Sequence, residues 1–164
     1  MRDTDGSLRL RALAAGLTLS MVLVPACLLS ACATQAARCG PEEANRRLVA
    51  DFVHVFYEER DVRRAFEQYV SADYIQHNPN IPDGREAAIA ALTPLFSRKE
   101  VELQVRHVVV DGDMAVVHLF AREGTAARGA AVADVFRLSH GRIVEHWDIL
   151  QAIPENPINP HPMF

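Results

Sequence analysis

The stretch 131–151 reads Ala131-Val132-Ala133-Asp134-Val135-Phe136-Arg137-Leu138, then Ser139-His140-Gly141, then Arg142-Ile143-Val144-Glu145-His146-Trp147-Asp148-Ile149-Leu150-Gln151. Two β-prone runs around a short turn ending in Gly predict a hairpin. A three-residue loop with Gly141 left-handed, a conformation Gly takes without a Cβ penalty, pairs Leu138 with Arg142, Asp134 with His146 and Val132 with Asp148. Directly opposed residues share a face, and so do residues two apart on a strand. Asp134, His146 and Asp148 then project together among Val132, Phe136, Val144 and Leu150, with Arg137, Glu145 and Trp147 on the reverse. A two-residue His140-Gly141 loop instead pairs Asp134 with Trp147 and sends Asp134 to the opposite face. The three-residue loop is the expectation. Ionisable groups on an apolar face are costly unless paired, which marks the trio as a candidate site.

The 164 residues suggest one domain, and 49% apolar with 23% charged residues is an ordinary globular balance. Net charge is −4 and the basic residues are scattered, so no patch announces a nucleic-acid partner. Neither common glycine-rich nucleotide-binding pattern is present.

Arg2, Arg9 and Arg11 precede an apolar run over 12–29, the form of a secretory signal. Leu29-Ser30-Ala31-Cys32 closes that run and resembles the lipobox of bacterial lipoproteins. The resemblance implies cleavage before Cys32, a lipid on its sulfur, and anchoring to a membrane at the bacterial cell envelope. Two or three acyl chains give stable anchoring, at about 0.8 kcal/mol per buried CH₂. Ala33 after the cysteine is similar to lipoproteins sent to the outer membrane, here on its periplasmic face. Cys27 leaves with the signal and Cys39 stays alone, so no disulfide framework is available. The expected organisation is a leader over 1–31, a tether over 32–41, a folded domain over 42–153 and a proline-rich tail over 154–164.

The domain opens with a helix expected over 42–60, its stripe carried by Leu48, Phe52, Val55 and Phe56. A short second helix is expected over 61–70. Residues 74–77 read as extended, stopped by Pro79 and Pro82. This corner brings Tyr74, His77 and Asn78 forward as substrate-orienting candidates. Asp83 with Glu86 resembles a capping box opening a third helix, and Pro94 predicts a kink or an end before Phe96. Strands follow over 101–110 and 114–121 around Asp111-Gly112-Asp113. A two-residue Asp111-Gly112 loop puts His107 and His118 on one face, and a three-residue loop separates them. The tail, with four prolines, forms neither helix nor central strand. Met163 and Phe164 tuck against the body or a second subunit.

Three amphipathic helices followed by strands make an α+β pattern. Tyr74 through Pro79, Asp83 through Ala87, the Asp111-Gly112-Asp113 turn, Asp134-Val135-Phe136-Arg137 and Gly141 through Asp148 together resemble the SnoaL-like, polyketide cyclase-like branch of the nuclear transport factor 2 superfamily. The resemblance covers about 42–151. It implies a cone: a curved antiparallel sheet packed on about three N-terminal helices, the NTF2-like or cystatin-like α+β barrel, with one deep pocket. In the cyclases a carboxylate near the end of the last strand is the acid/base in an aldol closure, and Asp148 falls there. Asp134 falls where the cyclases carry a histidine on the preceding strand, so this chain departs from that pattern. The cyclase asparagine after the second helix falls near His77-Asn78. The closer resemblance is to the SnoaL-like aldol-condensation branch. Dimers are frequent in the superfamily, and Trp147 on the outer face is the expected homodimer contact.

Removing a proton alpha to a carbonyl needs a base and a donor for the enolate oxygen. Asp148 is the expected base, His146 an alternate proton carrier, and His77, Asn78 or a protonated Asp134 the donor. The same division between an Asp base and a protonated Asp donor is known in ketosteroid isomerase. Tyr74, His118 and Phe136 join His77 and Asn78 as expected substrate contacts for a small apolar carbonyl compound. Such chemistry needs no cofactor. Three other readings compete. Asp134 and His146 make a buried structural pair. The cone holds a ligand without chemistry. Or His77, His118, His146 and Asp148 hold a metal, which their irregular spacing disfavours.

Overall fold

Pro41, whose fixed φ suits a first helical turn, and the acids Glu42 and Glu43 beside the positive helix end start α1 (Pro41–Val53). The computed structural model describes residues 40–164, so the leader, Cys32 and Cys39 lie outside the described residues. No described helix is long and apolar enough to cross a membrane.

The single helix expected to Arg60 does not form. After Val53 the chain widens into a π-helical turn, His54–Glu58, in which the Glu59 N–H donates to the His54 carbonyl five residues back at 3.0 Å. An α-helix turns about 100° per residue, so it cannot bury many neighbours in succession. The π turn buries Val55, Phe56 and Tyr57 together. Such widened turns recur at functional sites. Next, α2 (Val62–Tyr69) is capped by Asp61, whose carboxylate accepts from the Arg64 N–H at 3.0 Å.

The strand expected over 74–77 starts earlier, as β1 (Val70–Gln76) directly after α2. Asp83 does not cap the third helix. Its Oδ1 accepts from the Gln76 N–H at 2.7 Å, and Gly84 at φ 92° takes the cap position of α3 (Arg85–Phe96). Pro94 neither ends nor shortens that helix, which runs on to Phe96; its missing N–H takes one helical bond from the Ala90 carbonyl.

Four strands complete the sheet: β2 (Glu102–Asp111), β3 (Met114–Arg122), β4 (Ala130–Ser139) and β5 (Arg142–Ala152), in the order β1-β5-β4-β3-β2. The all-antiparallel expectation is corrected at one edge, where β1 runs parallel to β5. The connection can be parallel because the long route through α3 and three strands separates the two. The sheet is curved and unclosed, and its inner face packs on the helices. Val117, Leu119, Val132, Phe136 and Ile143 meet Val49, Phe52, Phe56, Phe66 and Ile89 there, all buried. Each such side chain contributes about 1.5–3 kcal/mol.

Both hairpins depart from the simple count. The last one turns on two residues, His140 (φ 50°) and Gly141 (φ 70°), a type I′ geometry matched to strand twist. That loop alone would split the acids between faces. A bulge then inserts one unpaired residue, Val144: Leu138 pairs with Ile143 but Arg137 with Glu145. The shift pairs Phe136 with His146 and Asp134 with Asp148, so the three ionisable groups share the inner face after all. Ile143 enters the core in place of Val144. In the other hairpin Gly112-Asp113 is the loop, and a bulge at Arg106 sets His107 opposite His118, their rings 5.7 Å apart.

Beyond Ala152 the tail forms neither helix nor strand. It returns to the body, with the Phe164 ring 4.8 Å from Phe120 and the Arg106 guanidinium 5.4 Å from Phe164.

Candidate functional site

Strand alternation on β4 and β5 aims Asp134, His146 and Asp148 inward, and the end of β1 adds Tyr74, Gln76 and Asn78 from the parallel neighbour. The π turn delivers Tyr57. All seven line one end of a cavity of about 420 Å³. Its remaining wall is mainly apolar, including Phe52, Phe56, Phe66, Leu119 and Phe136.

Asp134 and Asp148 are directly opposed across the strand pair, where side chains approach within about 5 Å. Two like charges that close repel unless each has its own donors. Asp134 is buried, accepts from the Tyr57 hydroxyl on Oδ2, and faces His146 Nε2 at 3.3 Å with Oδ1. Asp148 accepts from Asn78 Nδ2. The Asn78 Oδ1 takes the Asn80 N–H at 2.8 Å, which fixes the amide with its nitrogen toward the carboxylate. On the far side of His146, Nδ1 lies 2.8 Å from Gln76 Oε1. That oxygen also accepts from the Asn78 N–H at 2.9 Å, and Gln76 Nε2 donates to the Tyr74 hydroxyl at 3.1 Å.

Burial, and then the charge of Asp134, hold the Tyr57 phenol well above its usual pKa. Tyr74 is pushed up in the same way, by burial first and Asp134 second. Both are therefore protonated donors at neutral pH.

Of the residues expected from sequence, Asp134, His146, Asp148, Asn78, Tyr74 and Phe136 line the cavity. His77 and His118 do not. Alternation along the β1 exit sends Gln76 and Asn78 inward and His77 outward, where its Nε2 meets Glu145 at 2.8 Å and its ring stacks on Trp147 at 4.6 Å. Glu145 also accepts from Arg137 Nε at 2.9 Å, and its pKa is lowered, first by His77 and then by Arg137. His118 sits between inward Val117 and Leu119, so it faces out and stacks on His107. Asn78 reaches the site but holds Asp148 rather than an open position.

Sequence reasoning missed Tyr57 and Gln76. Nothing in the stripe of Leu48, Phe52, Val55 and Phe56 points to Tyr57, which needs the π turn to face inward. Gln76 was findable, because it falls between Tyr74 and Asn78 on the same alternating face.

The four residues weighed as metal ligands are split between the two faces of the sheet. Among the described residues no group of three or more His, Cys, Asp or Glu is arranged to hold a metal ion. The arrangement suits proton transfer: a carboxylate held by one amide, two neutral phenols, and an imidazole–carboxylate pair, at the end of an apolar hollow.

The fold is shared with solved structures of other proteins. An NTF2-like protein of unknown function from Mesorhizobium loti superposes with a TM-score of 0.59 at 16% identity, covering 68% of this chain and 93% of that one. A candidate SnoaL-like polyketide cyclase from Jannaschia sp. CCS1 gives 0.55 at 21% identity, covering 73% and 98%. A candidate ketosteroid isomerase from Kribbella flavida DSM 17836 gives 0.57 at 17% identity, covering 72% and 85%. At such identities the likeness is one of fold. No curated protein matches the chain in sequence. The sequence model described as the SnoaL-like domain matches residues 49–146, from the first buried valine of α1 to the histidine of the cavity. With more than half of its length so matched, on an NTF2-like α+β fold, the chain belongs to the SnoaL-like domain family.

Proposed function

We propose that this chain catalyses proton transfer alpha to a carbonyl on a small apolar substrate, in an aldol-type condensation, a cyclisation or an isomerisation, without a cofactor. The observation that carries the reading is a single one: Asp148, held by Asn78, opens onto a mainly apolar cavity beside the Asp134–His146 pair. Asp148 takes the alpha proton, and the C–H electron pair becomes the enolate. The enolate oxygen is met by a neutral donor, and the phenol of Tyr74 fits that role because burial keeps it protonated. His146 with Asp134 is the alternate proton carrier. The enolate carbon is then reprotonated or attacks a second carbonyl.

The test is alpha-proton exchange of cyclohexanone, acetophenone and octanal in deuterated water, followed by NMR. The full chain should exchange at least one of them faster than buffer. Asp148→Asn should lose roughly 10²–10⁴-fold of that rate. Exchange indifferent to Asp148→Asn removes the assigned base, and binding of these compounds without any exchange leaves a ligand-holding protein instead.

Two further parts of the reading rest on other residues. Lipid on Cys32 anchors the chain at the bacterial cell envelope, supported by the Leu29-Ser30-Ala31-Cys32 motif after an apolar run. A homodimer forms through the outer sheet face, supported by Ile149 at 61% and Val109 at 58% exposure.

A further inference from the structure

We infer that Gln76 is a positioning residue that holds a hydrogen on His146 Nδ1 and thereby turns Nε2 toward Asp134 to share one proton with it. The Asn78 N–H can only donate, and the atom it meets at 2.9 Å is the side-chain oxygen of Gln76. A flipped amide would oppose two donors. The carboxamide is therefore set with Oε1 toward Asn78 and Nε2 toward the Tyr74 hydroxyl at 3.1 Å.

That same oxygen lies 2.8 Å from His146 Nδ1. An amide oxygen only accepts, so Nδ1 carries a hydrogen. A neutral ring with hydrogen on Nδ1 turns a lone pair on Nε2 toward Asp134 Oδ1, 3.3 Å away. A lone pair and a carboxylate do not face each other without a proton between them. One proton is thus shared by the pair, on the ring or on the carboxyl, and either placement leaves the pair neutral as a whole. The groups around the ring agree: the Tyr57 hydroxyl donates to the other Asp134 oxygen, Tyr74 is a neutral phenol, and Phe136 packs at 4.9 Å. Asp148 stands outside that pair and accepts from Asn78 instead, which separates a base from a proton store.

Gln76 has a second consequence. Its N–H occupies a lone pair of the Tyr74 oxygen, which leaves the phenolic proton for a ligand. The importance of both for turnover rests on the proton-transfer reading, but the tautomer does not.

The experiment therefore reads the tautomer without substrate. The full chain, labelled with ¹⁵N in its seven histidines, is examined by long-range ¹H–¹⁵N correlation, with the signal of His146 identified by its loss in His146→Gln. Hydrogen on Nδ1 is expected in the wild type. Gln76→Leu should lose that signature and slow the exchange reaction while ligand binding persists. Gln76→Glu, which restores an accepting oxygen, should keep it. A wild-type ring with hydrogen on Nε2 alone, or a Gln76→Leu ring unchanged from wild type, overturns the inference. A retained tautomer with no exchange activity would overturn only the catalytic reading.

Discussion

The two faces of one sheet carry the same side-chain chemistry under opposite conditions. On the inner face an imidazole meets a carboxylate, His146 with Asp134, both buried. On the outer face an imidazole meets a carboxylate as well, His77 with Glu145, and Arg137 joins them over the Trp147 ring. Outside, water and mobile ions screen each charge, so the loss of a partner is made good by solvent. Inside, every donor and acceptor has to find its partner in protein, and Tyr57, Gln76 and Asn78 supply them. The lesson is that pairing alone does not mark a site. What distinguishes the inner pair is that its partners, Tyr57 on the π turn and Gln76 on β1, come from elements distant in sequence and meet at a hollow a ligand can fill.

If that contrast is right, deleting an inner carboxylate should hurt most. Asp134→Ala leaves the Tyr57 hydroxyl and the His146 ring without their acceptor in a buried place. Two polar groups stranded in this way cost about 2–4 kcal/mol. Urea unfolding of Asp134→Ala beside Glu145→Ala tests the point. A larger loss is expected for the inner change, and equal losses would break the distinction between the faces.

Legibility in the sequence divides along the same line. The shared face of Asp134, His146 and Asp148 was readable as an apolar stretch interrupted by charge, yet the route to it was not. The expected three-residue turn is absent, and a two-residue turn plus a bulge at Val144 restores the alignment. A bulge leaves no mark in alternation counted by pairs, because it is chosen by twist and packing across strands. The parallel pairing of β1 was illegible for a related reason: which edge a short strand joins depends on where α2 leaves it. Helix existence was legible from the stripe of Phe52, Val55 and Phe56, whereas the π turn was not, since it depends on burying Tyr57 against Asp134. His77 and His118 were misplaced because a histidine on a strand says nothing of its face until register is known.

The buried phenols sharpen the contrast at high pH. The unfolded chain ionises tyrosine near pH 10. In the folded chain Tyr57 and Tyr74 are held neutral beyond that, by burial before all else. Their folded pKa values are raised, so the stability they confer is complete below about pH 10 and is lost as pH rises from there toward the folded values. For each phenol the loss runs at about 1.4 kcal/mol per pH unit. Stability measured by urea from pH 9 to 11 should fall steeply, and Tyr57→Phe should fall less steeply by about one such increment. Equal slopes would mean that Tyr57 ionises in place and is wetter than its contacts with Asp134 and the aromatic core imply.

The smallest effect belongs to the outer face, at low pH. The folded pKa of Glu145 is lowered, by the hydrogen bond from His77 first and that from Arg137 second. A lowered carboxylate confers stability above its unfolded value, about 4.3, and loses it as pH falls through the folded value. Wild type and Glu145→Gln should therefore differ slightly near neutrality and converge in acid. The chain has one tryptophan, and Trp147 stacks on His77 at 4.6 Å, so its fluorescence follows this cluster without interference. The emission of the wild type should change in the same acid window in which the two stabilities converge. Because solvent screens this group, added salt should shrink the difference between the two proteins while leaving the alkaline slope of the buried phenols almost untouched. A salt response shared by both faces would show that the cavity is open to ions, and the inner pair would then need no protein partners to persist.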